Sequence, residues 1–158
     1  MRILTVRQPW AWALIHGGKD VENRPRNIAG GYRGPVAIHA GKNFDYERPS
    51  DQFLAEYARR PVAGRETGFI IGVVDLVDVH SASVIGGCGR MQNDCDEHPN
   101  GCRHHCSQWA MGPSPDGWYQ HLVFENPRPL ADPIPYKGAL GLRRLDDDTI
   151  ARINEGLS

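Results

Sequence analysis

Three charged residues near the N-terminus have the types and spacing of a small ligand-binding pocket. Lys19, Glu22 and Arg24 follow directly on a pair of glycines. If Asp20–Arg24 is extended, Glu22 and Arg24 lie on one face, because side chains alternate along a strand. Lys19 lies at the start of that strand, beside a bend that the glycines permit. The segment therefore predicts a cationic pocket that contains one carboxylate.

Two tryptophans just before this segment are candidates for the wall of the pocket. Trp10 and Trp12 differ by two positions, so they point in different directions if their segment is a helix. We expect one of them in the core and the other, Trp10 beside Pro9, to stack on a base, a contact worth ~1–3 kcal/mol. Arg33 is a further candidate because it lies near a strand end, and Trp118 because it lies on a predicted closing strand.

The charged residues also have a structural interpretation. Lys19 in isolation would be a solvated turn lysine that pairs with Asp20 or Glu22, but within the Gly-x-Lys-x-x-Glu-x-Arg spacing we favour the pocket. Glu22 and Arg24 can pair with each other and hold the predicted barrel together, and this is as good an interpretation as direct ligand contact. Both can hold together, since a carboxylate oriented by an arginine still accepts a hydrogen bond from an exocyclic amine.

The four cysteines of the chain lie in one short segment and predict a metal site. They have the spacing C-x6-C-x6-C-x3-C and are Cys88, Cys95, Cys102 and Cys106. Nothing in the sequence indicates an oxidising compartment, so a disulfide framework is disfavoured. Zinc is the better interpretation, because thiolates and imidazoles are its preferred ligands.

The simplest zinc ligand set is the four cysteines, and His98 or His104 is an alternative for one of them. Four protein ligands leave no open position for water, so we expect a structural zinc ion rather than a catalytic one. Free thiols on a loop are the alternative interpretation.

Length and composition limit the class of protein. The chain has 158 residues, of which 40% are hydrophobic and 23% charged, with a formal net charge of −1. These values are typical of a single soluble domain with its own core. The balanced charge disfavours a non-specific duplex binder, but it allows a basic pocket for one nucleotide or a short single strand. Without an apolar run of ~20 residues or a secretory signal, we expect a cytoplasmic protein that does not contact membranes.

The elements that must position these residues are a mixture of strands and short helices. The predicted strands are Arg2–Arg7, Asp20–Arg24, Gly34–Ala40, Phe69–Val79, Trp118–Glu125 and Ala139–Arg144, and the predicted helices are Trp10–His16, Asp45–Arg60 and Asp147–Leu157. The proline-rich residues 127–135 are expected to bridge the last two strands. Asp75 and Asp78 differ by three, so at most one of them faces the pocket. Residues 81–117 have no periodicity, and a segment of this length needs something other than a hydrophobic core to hold it.

Several motifs along the chain resemble the ASCH domain, a branch of the PUA-like superfamily. They are Gly17-x-Lys19-x-x-Glu22-x-Arg24, Gln8-Pro9-Trp10-Ala11, Tyr32-Arg33-Gly34-Pro35, Ile70-Ile71-Gly72-Val73-Val74-Asp75 and Tyr136-Lys137-Gly138-Ala139-Leu140-Gly141-Leu142. The resemblance implies an α+β fold in a single domain over residues 1–158. It implies a small mixed β-barrel flanked by short helices, into which the Cys-rich residues 81–117 are inserted.

The resemblance implies a domain that binds RNA, single-stranded nucleic acid or nucleotides and recognises a base or a modified nucleoside in a cationic cleft. The implied ligand-binding residues are Trp10, Lys19, Glu22, Arg24, Arg33 and Trp118. A protein-interaction module is a further hypothesis, in which the zinc-ordered Cys-rich loop binds a protein partner.

The resemblance also implies an alternative function as a hydrolase. Some ASCH relatives are amidohydrolases that remove an acetyl group from acetylated cytidine, and others are ribonucleases. In the amidohydrolases a threonine nucleophile occupies the position of Glu22, so the same hydroxyl chemistry is not available to this chain. A variant mechanism would use Glu22 or Asp75 as general base for water and Lys19 to polarise the carbonyl.

Overall fold

The structure is a computed structural model of the chain, and it describes residues 1–59, 65–82, 88, 91–92, 102–103 and 105–157. Within these residues the helices are α1 (Trp10–His16), α2 (Asp51–Arg59) and α3 (Asp147–Gly156). The strands of the same residues are β1 (Arg2–Gln8), β2 (Val21–Arg24), β3 (Gly34–Phe44), β4 (Phe69–Ser81), β5 (Met91–Gln92), β6 (Cys102–Arg103), β7 (Pro113–Ser114), β8 (Gly117–Trp118), β9 (Gln120–Pro135) and β10 (Leu142–Arg144). The predicted α+β class is therefore confirmed.

The main sheet is open, so the predicted β-barrel is wrong. Six strands follow the order β10-β1-β3-β4-β9-β2, and within the described residues the two edge strands do not pair with each other. A barrel closes only when its edge strands complete a ladder. Here the edge strands β10 and β2 have only three and four residues.

The chain forms two compact units, and the strands β4 and β9 run through both. Unit 1 contains residues 1–19, 34–75 and 125–158, and unit 2 contains residues 20–33 and 76–124. Within the described residues no helix is long and apolar enough to cross a membrane.

Unit 1 is built around β1, which pairs in parallel with β3 and antiparallel with β10. Its core consists of buried aliphatic residues from strands, loops and α3, and they are Ile3, Ala37, Ile70, Val73, Leu130, Ile134, Leu145 and Ile153. Helix α1 begins after Pro9, which has no side-chain oxygen for a cap. The buried Gln8 side chain takes that role, since its Oε1 accepts from the Trp12 N–H at 3.0 Å. The helix α1 is thereby fixed to the end of β1.

Unit 2 is built around the antiparallel pairing of β2 with the first residues of β9. In its register Val21 pairs with Val123, and Arg24 pairs with Gln120. The buried apolar residues of this unit are Val21, Ala29, Leu76, Ala82, Tyr119, Leu122 and Phe124. Two short ladders, β5–β6 and β7–β8, complete the described strands.

Two predicted element boundaries are wrong. Helix α2 begins at Asp51 rather than Asp45, because the Asp45 carboxylate accepts from the backbone N–H groups of Glu47 and Arg48 and so forms a turn. The proline-rich residues 127–135 are not a bridge but part of β9. Their prolines all have odd numbers, and residues two apart direct their N–H groups to the same side of a strand, so only one edge of β9 loses donors.

Candidate nucleotide-binding residues and a candidate metal centre

Lys19 is a buried cation in unit 1, and it lies close to the indole ring of Trp10. The residue is only 6% exposed, and its Nζ lies 5.7 Å from the centroid of the Trp10 ring. Gly18 adopts a φ of 69°, which turns the chain so that the Lys19 N–H donates to the carbonyl of Ala13 at 2.9 Å. The glycine bend predicted from the sequence thus brings the ammonium group within cation–π distance of an aromatic ring.

Trp10 is fixed by contacts on its edge and on its face. Its Nε1–H donates to Oδ2 of Asp45 at 3.0 Å, and its ring stacks on Phe53 with centroids 5.3 Å apart. Burial alone would raise the pKa of Asp45, but hydrogen bonds from Trp10 and from the backbone of Arg48 and Glu47 hold that pKa below its ordinary value. Asp45 is therefore an ionised anchor for the indole.

Glu22 and Arg24 form an ion pair in unit 2, as their spacing on one strand face allows. Arg24 Nη2 lies 3.3 Å from Glu22 Oε1. Asn23 lies between them and points to the other face of β2. Its Nδ2 donates to the Trp109 carbonyl and its Oδ1 accepts from the Met111 N–H, both at 2.8 Å. The strand β2 therefore presents an ion pair on one face and holds the 109–111 segment on the other.

Arg33 and Trp118 also lie in unit 2. The Arg33 guanidinium donates to the Tyr32 carbonyl at 2.7 Å and lies 3.9 Å from a carboxylate oxygen of Asp78. Trp118 is half-buried and pairs with Pro113 in the β7–β8 hairpin. The Arg33 side chain is thus held at a defined position within this unit.

Asp75 lies in unit 1, where two side chains occupy its carboxylate. Arg128 Nη2 donates to Oδ1 at 2.5 Å, and Asn126 Nδ2 donates to Oδ2 at 3.1 Å. Both oxygens accept hydrogen bonds from side chains, and the carboxylate is oriented toward the Arg128 guanidinium.

Four side chains in unit 2 bring potential metal-ligand atoms together. His80, Cys88, Cys106 and His121 each offer one ligand atom, and these atoms lie within 4.8 Å of one another. His121 Nδ1 is 3.0 Å from Cys88 Sγ and 3.5 Å from Cys106 Sγ. The Cys106 backbone N–H donates to Cys88 Sγ at 3.1 Å. The donor set is therefore two sulfurs and two imidazole nitrogens.

The remaining ring nitrogens of the two histidines are anchored. His80 Nδ1 lies 2.7 Å from the Asp78 carboxylate, and His121 Nε2 lies 2.7 Å from the Met111 carbonyl. The Met111 carbonyl and the ionised Asp78 carboxylate can only accept hydrogen bonds. His80 Nδ1 and His121 Nε2 therefore carry the proton. The opposite nitrogens, His80 Nε2 and His121 Nδ1, then present lone pairs to the cluster. His80 Nε2 is buried and has no hydrogen-bond partner among the described residues.

Burial favours the neutral forms of His121 and Cys106 when no metal is bound. It lowers the pKa of His121, an effect that the Met111 hydrogen bond opposes and that His80 and His105 reinforce. Burial, together with the neighbouring Cys88, raises the pKa of the Cys106 thiol to about 12. A thiol of this kind is not a reactive surface nucleophile.

The family model of the ASCH domain matches residues 4–131 of this chain. The chain belongs to the ASCH family. The family is part of the PUA-like superfamily, as the resemblance of the motifs implied. No curated protein sequence matches the chain.

Solved ASCH structures share the fold of this ASCH domain. The crystal structure of ASCH from Zymomonas mobilis has a TM-score of 0.51 at 15% identity, over 99% of this chain and 95% of that one. A tyrosine-to-phenylalanine variant of that protein has a TM-score of 0.54 at 15% identity, over 99% and 98% of the two chains. A serine-to-alanine variant has a TM-score of 0.52 at 15% identity, over 99% and 96%. At this identity the likeness concerns the fold alone.

The structure brings some of the predicted site residues of this ASCH domain together. Trp10 and Lys19 are neighbours in unit 1, and Glu22 and Arg24 are paired in unit 2. Trp12 is 1% exposed and belongs to the core, as expected for one of the two tryptophans.

The predicted zinc ligands are described in part. Cys88 and Cys106 lie together in the cluster, whereas Cys95, the side chain of Cys102, His98 and His104 lie outside the described residues. The four-cysteine ligand set therefore stays a prediction.

The two histidines of the cluster are not among the metal ligands predicted from the sequence. His80 directly follows the predicted strand Phe69–Val79, and His121 lies on the predicted strand Trp118–Glu125. The available signal was their position beside the Cys-rich residues 81–117: His80 directly precedes this segment, and His121 lies on the strand that follows it.

Proposed function

We propose that this ASCH domain binds single-stranded RNA and recognises a base or modified nucleoside through Trp10, Lys19, Glu22, Arg24, Arg33 and Trp118. ASCH domains are generally thought to bind RNA, and the match to the family covers residues 4–131. The observation that carries the proposal is the burial of Lys19 against the Trp10 ring, within the region that the family model matches.

The burial of Lys19 supports a ligand-binding role for this residue. A buried ammonium group is costly unless other groups compensate its charge. Trp10 contributes such compensation through its ring face, and the Asp45 carboxylate fixes the orientation of that ring. A lysine kept in this way is a rigid cation, which suits a phosphate or a base carbonyl better than a lysine on a mobile solvent-exposed stem.

The Glu22–Arg24 pair supplies complementary groups in unit 2. The side chains are 14% and 29% exposed, so both are accessible to a ligand in part. The guanidinium is a planar donor that suits phosphate or carbonyl oxygens, and the carboxylate accepts from exocyclic amines. The pair can therefore hold the strand and contact a base at the same time.

An exposed tyrosine in unit 1 offers a surface on which a base can stack. Tyr46 is 78% exposed, and its ring centroid lies 4.6 Å from that of Phe44. The neighbouring Lys42 and Arg48 are also exposed. Aromatic rings between cations are the usual means of binding single strands without a strong sequence preference.

Binding explains the carboxylates better than hydrolysis does. Asp75 accepts from Arg128 and Asn126, and Glu22 pairs with Arg24. Both carboxylates considered as general bases are thus engaged by donors that compete with a water molecule. These contacts disfavour the hydrolase alternative.

The test titrates the wild type and the variants Lys19→Ala and Arg24→Ala into labelled short single-stranded RNA. Fluorescence anisotropy measures the binding. We expect both variants to bind the RNA at least several-fold more weakly. The control variants Lys137→Ala and Arg152→Ala change exposed cations elsewhere in unit 1, and they should bind like the wild type. Wild-type affinity for RNA in both Lys19→Ala and Arg24→Ala would refute the proposed site.

Enzymatic function is tested with the same proteins. Wild-type protein is incubated with acetylated cytidine and, separately, with the labelled RNA. We expect no release of acetate and no shortening of the RNA. Turnover that disappears in Glu22→Gln would instead support the hydrolase alternative.

A further inference from the structure

We propose that His80, Cys88, Cys106 and His121 bind one zinc ion, with His80 coordinating through Nε2 and His121 through Nδ1. This proposal does not rest on the proposed RNA binding. It differs from the four-cysteine set predicted from the sequence, because two ligands come from the long strands β4 and β9.

The spacing of the donor atoms fits a tetrahedral zinc ion. With Zn–S bonds of about 2.3 Å and Zn–N bonds of about 2.0 Å, neighbouring ligand atoms of a tetrahedron lie roughly 3.3–3.8 Å apart. The His121 Nδ1 atom lies 3.0 Å from one cysteine sulfur and 3.5 Å from the other. All four donor atoms lie within 4.8 Å of one another. Small shifts are therefore enough to reach the coordination geometry.

The identity of the metal follows from the ligands. Two thiolates and two imidazoles in a tetrahedral arrangement are typical of zinc, whereas oxygen-rich sites bind magnesium or calcium. Four protein ligands complete the coordination shell, so the ion has no position for a substrate or a reactive water. The proposed zinc is therefore structural.

The second ring nitrogen of each histidine supports the proposal independently of the donor distances. Asp78 holds His80 Nδ1, and the Met111 carbonyl holds His121 Nε2, each at 2.7 Å. In metal sites the non-ligating nitrogen commonly donates to a carboxylate or a backbone carbonyl in this way, which fixes the tautomer and the ring orientation. The same tautomer leaves His80 Nε2 buried without a partner among the described residues, a cost that a metal ion would remove.

His105 is adjacent to the cluster but is not one of the proposed ligands. Its Nδ1 lies 3.8 Å from Cys88 Sγ, and its ring centroid lies 5.7 Å from that of His121. The group of mutually close donor atoms does not include it. It is therefore a matched control for the loss of an imidazole near the site.

A zinc ion would connect the Cys-rich segment to the strands of unit 2. Cys88 and Cys106 are 18 positions apart in the chain, and the histidines lie on β4 and β9. Closing such a segment through one ion stabilises the folded chain, because metal binding and folding are coupled. Removal of zinc should therefore lower the thermal stability of the protein.

The first experiment measures zinc by mass spectrometry in proteins purified from zinc-supplemented cells. We expect one equivalent in the wild type and in His105→Ala, Cys95→Ser and Cys102→Ser. The variants His80→Ala, Cys88→Ser, Cys106→Ser and His121→Ala should contain none. Zinc-free wild type, or zinc lost from the Cys95 and Cys102 variants but kept in the histidine variants, would overturn the proposal.

The second experiment needs no variant that removes a ligand and risks misfolding. Wild-type protein reconstituted with cobalt should show intense visible bands of a tetrahedral ion and a thiolate charge-transfer band. Weak octahedral bands without the charge-transfer band would overturn the site. Asp78→Asn keeps all four ligands but weakens the anchor of His80, so zinc affinity against a competing chelator should fall about 10- to 100-fold. An unchanged affinity would contradict the assigned role of Asp78.

Discussion

Asn23 and His121 are directly opposite each other in the antiparallel ladder between β2 and β9, and both bind the backbone of Met111. Asn23 Oδ1 accepts from the Met111 N–H, and the Met111 carbonyl accepts from His121 Nε2. Paired residues of a ladder share a face of the sheet, so Glu22 and Arg24 lie on the opposite face. The candidate metal cluster therefore lies on the face of β2 opposite the Glu22–Arg24 ion pair, and it supports the strand from that face.

The variant Asn23→Ala should destabilise the protein. It removes the hydrogen bonds to the Trp109 carbonyl and from the Met111 N–H, and it leaves these backbone groups without their partner. The net contribution of a typical hydrogen bond to stability is about 0.5–1.5 kcal/mol. Urea denaturation of the wild type and the variant measures the difference in free energy of unfolding. The control Asn43→Ala changes an exposed asparagine on β3 and should have a much smaller effect; equal losses would contradict the anchoring role of Asn23.

His39 should make the protein less stable in mild acid. Burial lowers the pKa of this histidine below its ordinary value of 6.5, against a smaller rise from its hydrogen bond to the Tyr136 carbonyl. The unfolded chain then takes up the proton at a higher pH than the folded chain does. The free energy of unfolding therefore decreases as the pH falls through about 6.5 and continues to decrease down to the folded pKa.

The variant His39→Gln isolates this contribution, since its side-chain amide can still donate to the Tyr136 carbonyl. Denaturant titrations between neutral pH and about pH 5 should show a smaller loss of stability in the variant than in the wild type. Parallel pH profiles would show that His39 does not carry the effect.

The variant Gly72→Ala should be destabilising because β4 is closely packed at this position. A Cβ atom on Gly72 would lie 2.7 Å from the Arg128 carbonyl oxygen and 2.8 Å from Cδ1 of Ile15. Overpacking of this kind typically costs about 1–3 kcal/mol. Gly31→Ala is the matched control, since a Cβ there meets no atom within 4 Å. Thermal melts of the two variants should differ by several degrees, and equal melting temperatures would refute the packing argument.

The variant Tyr46→Ala should weaken the binding of single-stranded RNA if this tyrosine stacks on a base. The expected loss of binding free energy is about 1–3 kcal/mol. Leu140→Ala is the control, because Leu140 is 90% exposed and also belongs to unit 1. Anisotropy titrations should separate the two variants. A loss of the same size in both would indicate a general surface effect rather than stacking.

Local chemistry made part of the fold predictable from the sequence. Helix α1 has the predicted bounds Trp10–His16, because Pro9 and a glycine pair delimit a short apolar run. β4 begins at the predicted Phe69, where a β-branched run follows a glycine. By contrast, neither the continuity of β9 through its prolines nor the open sheet is visible locally. Both depend on which strands become neighbours.

The candidate site also has one part that was predictable from the sequence and another that was not. The Glu22–Arg24 pair follows from the alternation of side chains within one strand, and it is present in the structure. The metal cluster joins residues that are far apart in sequence, since Cys88 and His121 are 33 positions apart. Clustered cysteines indicated a metal, but only the tertiary structure selects histidines from the flanking strands.

Gln8 has a consequence for how related sequences should be compared. Its buried amide accepts from the Trp12 N–H and donates to the Glu66 carbonyl, so it ties the first strand, the first helix and a distant loop into one unit. The Gln-Pro-Trp motif is thus a determinant of architecture. We expect chains with this motif to share the scaffold whatever they bind, and the positions that follow the glycine pair to determine what they bind.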